Sequence, residues 1–184
     1  NCSNIGVNTV TLTVEDVNGN VATKTATVTV EDNIAPVISV NNNFTAQLDA
    51  TGNTVITAAQ INNATTDNCA ASSAMTFELD KTSFNCSNIG ENTIIFTATD
   101  SKGNKVSKSV TVIIEDKVAP IVVTQNYTAQ LDATGNATIT TANINNGSSD
   151  NCSIKTIDLD KTTFNCSNIG VNTVTLTVED VNGN

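Results

Sequence analysis

Twenty residues, Asn1 to Asn20 (NCSNIGVNTVTLTVEDVNGN), return unchanged as Asn165 to Asn184, and a near-copy, NCSNIGENTIIFTATDSKGN, occupies Asn85 to Asn104. One unit is therefore read three times, and internal repetition constrains a fold more than any local propensity does. Cys2, Cys86 and Cys166 mark the same point in successive copies, at steps of 84 and 80 residues. That period has the size of a small domain rather than of a solenoid turn. The expected division is a C-terminal piece of one repeat over 1–32, holding its last two strands, a complete repeat over 33–116, and a repeat over 117–184 that lacks its last strand. A chain that starts and stops at the same phase reads as a window on a longer tandem array.

The unit is made of strands. Val7 to Val14 alternates, with Val10, Leu12 and Val14 on one face, and Ala22 to Val30 alternates again with Ala26, Val28 and Val30 inward. Period two on both sides of Asp16-Val17-Asn18-Gly19-Asn20 predicts a hairpin. The middle copy repeats it through Ile94, Phe96 and Ala98, then Val110, Val112 and Ile114. Further strands are expected over Val37 to Val40 and Met75 to Leu79, with a helical turn near Ala59 to Asn62. Phe44 to Leu48 and Thr54 to Thr57 are expected to form a second hairpin around Ala50-Thr51-Gly52-Asn53. This spacing of short strands and turns predicts an all-β chain of tandem immunoglobulin-like β-sandwich domains, one disulfide per domain. Pro36 and Pro120 follow short acidic linkers without glycine, which should be stiff.

Composition narrows the chemistry. The chain carries a net charge of −10 and no histidine, arginine or tryptophan. Such a surface repels phosphate backbones and anionic lipid heads, which argues against nucleic acid as a partner. No apolar run approaches the roughly 20 residues of a spanning helix, so no membrane insertion is expected in this segment. Without histidine, a nucleophile elbow or a soft-metal cluster, an enzyme is not expected. A cysteine pair per repeat suggests an oxidising compartment. The expected bonds are Cys69 with Cys86 and Cys152 with Cys166, leaving Cys2 for a cysteine upstream; each such loop is worth roughly 3 kcal/mol in the chain-entropy model. Buried free thiols are the alternative.

The order Asp-Asn-Cys (Asp67–Cys69), Phe-x-Cys (Phe84–Cys86), Ile-Gly-x-Asn-Thr (Ile89–Thr93), a β-run, Asp-x-x-Gly-Asn (Asp100–Asn104), a second β-run and Glu-Asp-x-x-Ala-Pro (Glu115–Pro120) resembles the hyalin-repeat-like (HYR-like) immunoglobulin-type domains. These occur in long arrays in giant cell-surface proteins of Bacteroidota, including adhesins of gliding motility. The resemblance implies an extracellular, surface-anchored filament or stalk. Its partners would be neighbouring repeats of the same chain and, through a distal tip, surface polysaccharide or other cells.

Two functions follow as expectations. The first is a non-catalytic stalk that extends a distal tip. The second is a multivalent array whose repeats each grip carbohydrate or protein; its few aromatics, mostly in core phase, speak against it. In a sandwich the last hairpin turn lies at the pole where the domain begins, and the preceding domain ends there with Glu-Asp. Glu31 and Asp32 should therefore approach Asp100 and Asn104, and Glu115 and Asp116 should approach Asp180 and Asn184. Converging carboxylates and amide oxygens suit Ca²⁺, the one cofactor the sequence suggests. A plain Asx hairpin turn is the competing account of each Asp-x-x-Gly-Asn segment, and Asp67 and Asp150 read as turn caps, with cation ligation as the alternative. Lys108 falls on the inward phase of its strand, with Lys24 at the matching position; a snorkelling side chain is the expected arrangement.

Overall fold

The computed structural model describes residues 1–184. Strands β1 (Gly6–Glu15) and β2 (Val21–Val30) pair antiparallel from Gly6↔Val30 to Glu15↔Val21. Their turn is closed by Asp16: its Oδ1 accepts the backbone N–H groups of Asn18 and Asn20 at 2.9 Å, and its Oδ2 accepts the Asn20 amide at 2.8 Å. The Asx chemistry read from the sequence therefore builds the hairpin locally.

The chain continues through β3 (Phe44–Gln47), β4 (Asn53–Val55), the single-turn helix α1 (Ala58–Ile61), β5 (Thr76–Leu79) and β6 (Ser83–Asn85). Two long strands follow, β7 (Gly90–Thr99) and β8 (Lys105–Glu115). The third copy adds β9 (Asn136–Thr138), α2 (Thr141–Ile144), β10 (Ile154–Leu159), β11 (Thr163–Asn165) and β12 (Leu176–Asp180). The architecture is all-β. A four-stranded sheet runs in the order β3-β8-β7-β5, and two-stranded sheets pair β4 with β6, β11 with β9 and β10 with β12.

By contact the chain divides into two compact units, and they are not the sequence repeats. The first comprises Asn1–Phe44, Thr57–Lys81 and Thr93–Thr111; the second comprises Thr45–Ile56, Thr82–Asn92 and Val112–Asn184. In the first unit Ile94, Phe96, Ala98 and Val110 are buried with Ile61 and Met75, and the Phe96 ring stacks on Phe77 at 5.6 Å. In the second, Ile56, Phe84, Val112 and Ile114 are buried. The same unit holds a core of Ile139, Ile144 and Leu176, packed by Ile157, Leu159 and Phe164. Period-two alternation thus places one face of β7 and β8 out of water, as their sequence demands. The matching face of β1 and β2 is not covered: Val10, Leu12, Val14 and Val28 remain exposed, because no second sheet lies over this two-stranded pair.

Two expectations need correction. Phe44–Leu48 and Thr54–Thr57 do not pair with each other. The turn between them forms, with Asp49 N–H on the Asn53 carbonyl and Gly52 N–H on the Asp49 carbonyl. Yet β3 goes to the β8 edge while β4 pairs with β6, so the turn hands the chain from one sheet to another. Val37 to Val40 is no continuous strand, only the bridges Val37↔Thr66 and Val40↔Asn62. Lys108 shares the phase of Val110 but is not buried: the burial alternation of β8 sets in only at Val110, and Lys108, like Lys24, is exposed, as a snorkelling side chain is.

Candidate metal centres at the repeat junctions

The disulfides join Cys2 to Cys69 and Cys86 to Cys152. The expected pairs Cys69–Cys86 and Cys152–Cys166 do not form, and Cys166 is an exposed free thiol. The correction is one of partner, not of chemistry: the second cysteine of one repeat bonds the first cysteine of the next. The reason lies in topology. Cys69 follows the Val37↔Thr66 bridge in the first unit, whereas Cys86 follows β6, paired with β4, in the second. Gly52 completes the seat. Its φ is +74°, and a Cβ there would lie 2.7 Å from both the Cys86 sulfur and the Asn151 carbonyl oxygen. Each bond closes a span of 67 or 66 residues, worth about 4 kcal/mol in the chain-entropy model.

Beside each disulfide three aspartates converge. Asp32, Asp67 and Asp100 form one group in the first unit, and Asp116, Asp150 and Asp180 form the other in the second; in each, carboxylate oxygens lie within 4.8 Å of one another. Each aspartate arrives by a different route. Asp100 and Asp180 are the first residues of the Asp-x-x-Gly-Asn turns, which repeat the Asp16 geometry: Asp180 Oδ1 accepts the N–H groups of Asn182 and Asn184, and its Oδ2 accepts the Asn184 amide. Asp32 and Asp116 come from the linkers. Asp67 and Asp150 come from the Asp-Asn-Cys loops, where Oδ2 of each accepts two backbone N–H groups, from Cys69 and Ala70 or from Cys152 and Ser153. The asparagine of the motif donates to the linker aspartate, Asn68 to Asp32 at 3.2 Å and Asn151 to Asp116 at 3.1 Å.

What remains unsatisfied points to a cation. Asp67 Oδ1, Asp116 Oδ2, Asp150 Oδ1 and Asn151 Oδ1 are buried and without a hydrogen-bond donor. Asp116 is only 6% exposed and Asp180 is fully buried. A buried carboxylate oxygen without a donor is costly, and two further carboxylates at this range raise the cost. Burial is the largest single influence on Asp180 and pushes its carboxyl up. Hydrogen bonds from the Asn184 side chain and the Asn184, Asn182 and Gly183 backbone together outweigh it, so the carboxyl sits below its ordinary value. Asp100 behaves alike: burial pushes up, while Asn104, Lys102 and Gly103 pull the balance down. The turns therefore keep these aspartates charged.

Of the residues singled out in the sequence, Asp32 and Asp100 meet, as do Asp116 and Asp180. Asn104 and Asn184 brace the groups instead of adding oxygens: their amides donate to the Asp32 and Asp116 carbonyl oxygens at 3.0 and 3.2 Å. Glu31 is exposed and outside its group. Glu115 is drawn away by Lys117 at 2.9 Å and Gln47 at 2.7 Å, which hold its carboxyl below the usual value. Asp67 and Asp150 were legible first as turn caps, with cation ligation as the alternative. They are caps, but capping engages one oxygen of each and leaves the other for the group.

No family model and no curated protein matches the chain. Among solved structures, the crystal structure of the protocadherin GammaB4 extracellular domain is similar at 20% identity and a TM-score of 0.36, over 88% of this chain and 30% of that one. The chain thus spans about 30% of the length of that structure.

Proposed function

We propose that this chain is a non-catalytic repeat segment of a long extracellular filament or adhesin stalk at a bacterial cell surface. On this reading it belongs with the HYR-like arrays of gliding and adhesion, and its task is to carry a distal binding tip. The observation that supports it most is the pairing of cysteines across repeats, Cys2 with Cys69 and Cys86 with Cys152, each beside the same acidic group. Disulfides of this kind belong to an oxidising compartment. Fastening successive repeats at a recurrent point suits a strut.

The acidic groups serve this task as calcium sites. Three carboxylates and no nitrogen or sulfur make a hard donor set. Ligands drawn from a linker, a turn and a loop suit the adaptable coordination of Ca²⁺ better than the strict octahedron of Mg²⁺. The orphaned Oδ atoms of Asp67, Asp116 and Asp150 supply the fit. Differential scanning calorimetry of the oxidised chain in chelator and in millimolar CaCl₂ tests this. A ligand at a hundred times its Kd adds about 2.7 kcal/mol per site, so the melting temperature should rise by at least about 5 °C. Single-molecule bending or scattering should show stiffer junctions with calcium. Unchanged melting and stiffness would remove calcium from the proposal. Glycan or protein ligands captured by this segment alone would favour the multivalent binding array instead.

A further inference from the structure

We infer that each junction disulfide sets the affinity of the cation site beside it, so that oxidation and cation binding reinforce one another. This rests on reading the acidic groups as cation sites. The coupling runs through the loop Asp150-Asn151-Cys152. Asp150 contributes its buried, donor-free Oδ1 while its Oδ2 is tied to the Cys152 N–H at 2.8 Å. Asn151 orients a second ligand, donating to Asp116 Oδ1 at 3.1 Å, and its other donor bond reaches the Asp49 carbonyl oxygen at 3.1 Å. Cys152 then fixes the loop covalently to Cys86. One short loop thus carries one ligand, aims another and ends in the crosslink.

The other ligands do not depend on that crosslink. Asp180 is held by its own turn, and Asp116 Oδ1 also accepts the Val118 N–H at 3.1 Å. Opening the disulfide therefore leaves two carboxylates in place and loosens the loop of the third, which is then held by the Ile121↔Ser149 bridge and the Val181 N–H on the Ser153 carbonyl oxygen. The first unit repeats the arrangement: Asp67 Oδ2 is tied to the Cys69 N–H at 2.8 Å, Asn68 donates to Asp32, and Cys69 is bonded to Cys2. Because binding linkage is reciprocal, a cation that prefers the oxidised junction makes its disulfide harder to reduce by the same factor.

The chain carries its own control, since the two junctions bear separate disulfides. Calcium is titrated by calorimetry into oxidised wild type and into Cys86→Ser/Cys152→Ser, with circular dichroism confirming the fold. The expected result is two sites in wild type; in the variant the Asp116 site weakens roughly tenfold, within the usual range of site-to-site coupling, and the Asp32 site is unchanged. The second arm needs no variant. Dithiothreitol supplies two electrons and two protons, becoming its cyclic disulfide as Cys86 and Cys152 become thiols. The ratio of reduced to oxidised dithiothreitol at half-reduction should rise about tenfold with calcium. Binding in wild type with equal affinity in the variant, or a half-reduction ratio indifferent to calcium, overturns the coupling and leaves the calcium sites standing. No binding by oxidised wild type overturns both. Should the variant fail to fold, the half-reduction ratio decides.

Discussion

Replacing Asp116 by asparagine should stabilise the chain in chelator and lose most of that advantage in calcium. Two unit charges 4.8 Å apart repel by about 3.5 kcal/mol at an effective dielectric near 20. Neutralising Asp116 removes two such repulsions, from Asp150 and Asp180. Water and counterions around the half-exposed Asp150 screen part of this, leaving about 2–4 kcal/mol of relief. The substitution costs little elsewhere. The amide oxygen still accepts from Val118 and Asn151, and the new NH₂ takes the position of the donor-free Oδ2. In chelator Asp116→Asn should therefore melt higher than wild type, by about 5–10 °C. In millimolar calcium that advantage should shrink by about 2.7 kcal/mol, bringing the two melts close together, because wild type gains at both junctions and the variant only at the Asp32 junction. Calorimetric melts of both proteins in both buffers are sufficient. A variant less stable than wild type in chelator would show that the group is not under electrostatic strain. Equal gains from calcium would show that Asp116 is not part of a site.

Further outcomes follow from the same geometry. Alkylation without reduction should label one cysteine per chain, Cys166, and mass mapping should link Cys2 to Cys69 and Cys86 to Cys152; peptides joining Cys69 to Cys86 would refute the cross-repeat pairing. Gly52→Ala and Gly103→Ala both place alanine at positive φ, at about 1–2 kcal/mol each. Only at Gly52 does the new Cβ meet sulfur and a carbonyl oxygen, adding about 1–3 kcal/mol and slowing oxidative refolding, whereas Gly103 faces open space; equal denaturant midpoints would contradict this. The carboxyls of Asp49 and Asp132 lie below their ordinary value, Asp49 chiefly through the Thr51 hydroxyl and Asp132 chiefly through the Asn136 N–H. Depressed values mean that these turns contribute fully above about pH 3.9 and lose that contribution as pH falls through the folded value. Carboxyl NMR in chelator should place both midpoints below 3.9, and midpoints at or above it would sink the claim.

The elements that sequence conveys best here are those closed by near neighbours. The β7–β8 strands follow from alternation through Ile94, Phe96, Val110 and Val112, and their turn follows from Asp100 and Asn104, because side chain and backbone partners lie within five residues. Partner choice at longer range was not legible. Asp49 and Gly52 announce a turn, but nothing local says that β3 leaves for β8 and β4 for β6. The cysteines show the same limit: Cys69 and Cys86 are near in sequence, yet each is bonded to a cysteine 66 or 67 residues away. For the acidic groups, linker and turn could be brought together from general sandwich geometry. The loop aspartates could not, although the recurrence of Asp-Asn before a bonded cysteine was the available signal. Nothing in composition separates a cap with one idle oxygen from a cap with none.

The crosslink pattern also decides how such a chain yields under tension. Between Cys2 and Cys69, and again between Cys86 and Cys152, the covalent shortcut shields the intervening backbone, so pulling cannot lengthen it without rupturing a bond. Between the two loops lies only the stretch from Cys69 to Cys86. Unravelled completely, it pays out about 60 Å, against about 290 Å for a whole 84-residue step with no crosslink. Bonds within each repeat would have had the opposite effect, protecting that short stretch and leaving the rest extensible. Fastened across its seams, the chain from Cys2 to Cys152 behaves as a nearly inextensible cable whose slack is confined to one brief segment.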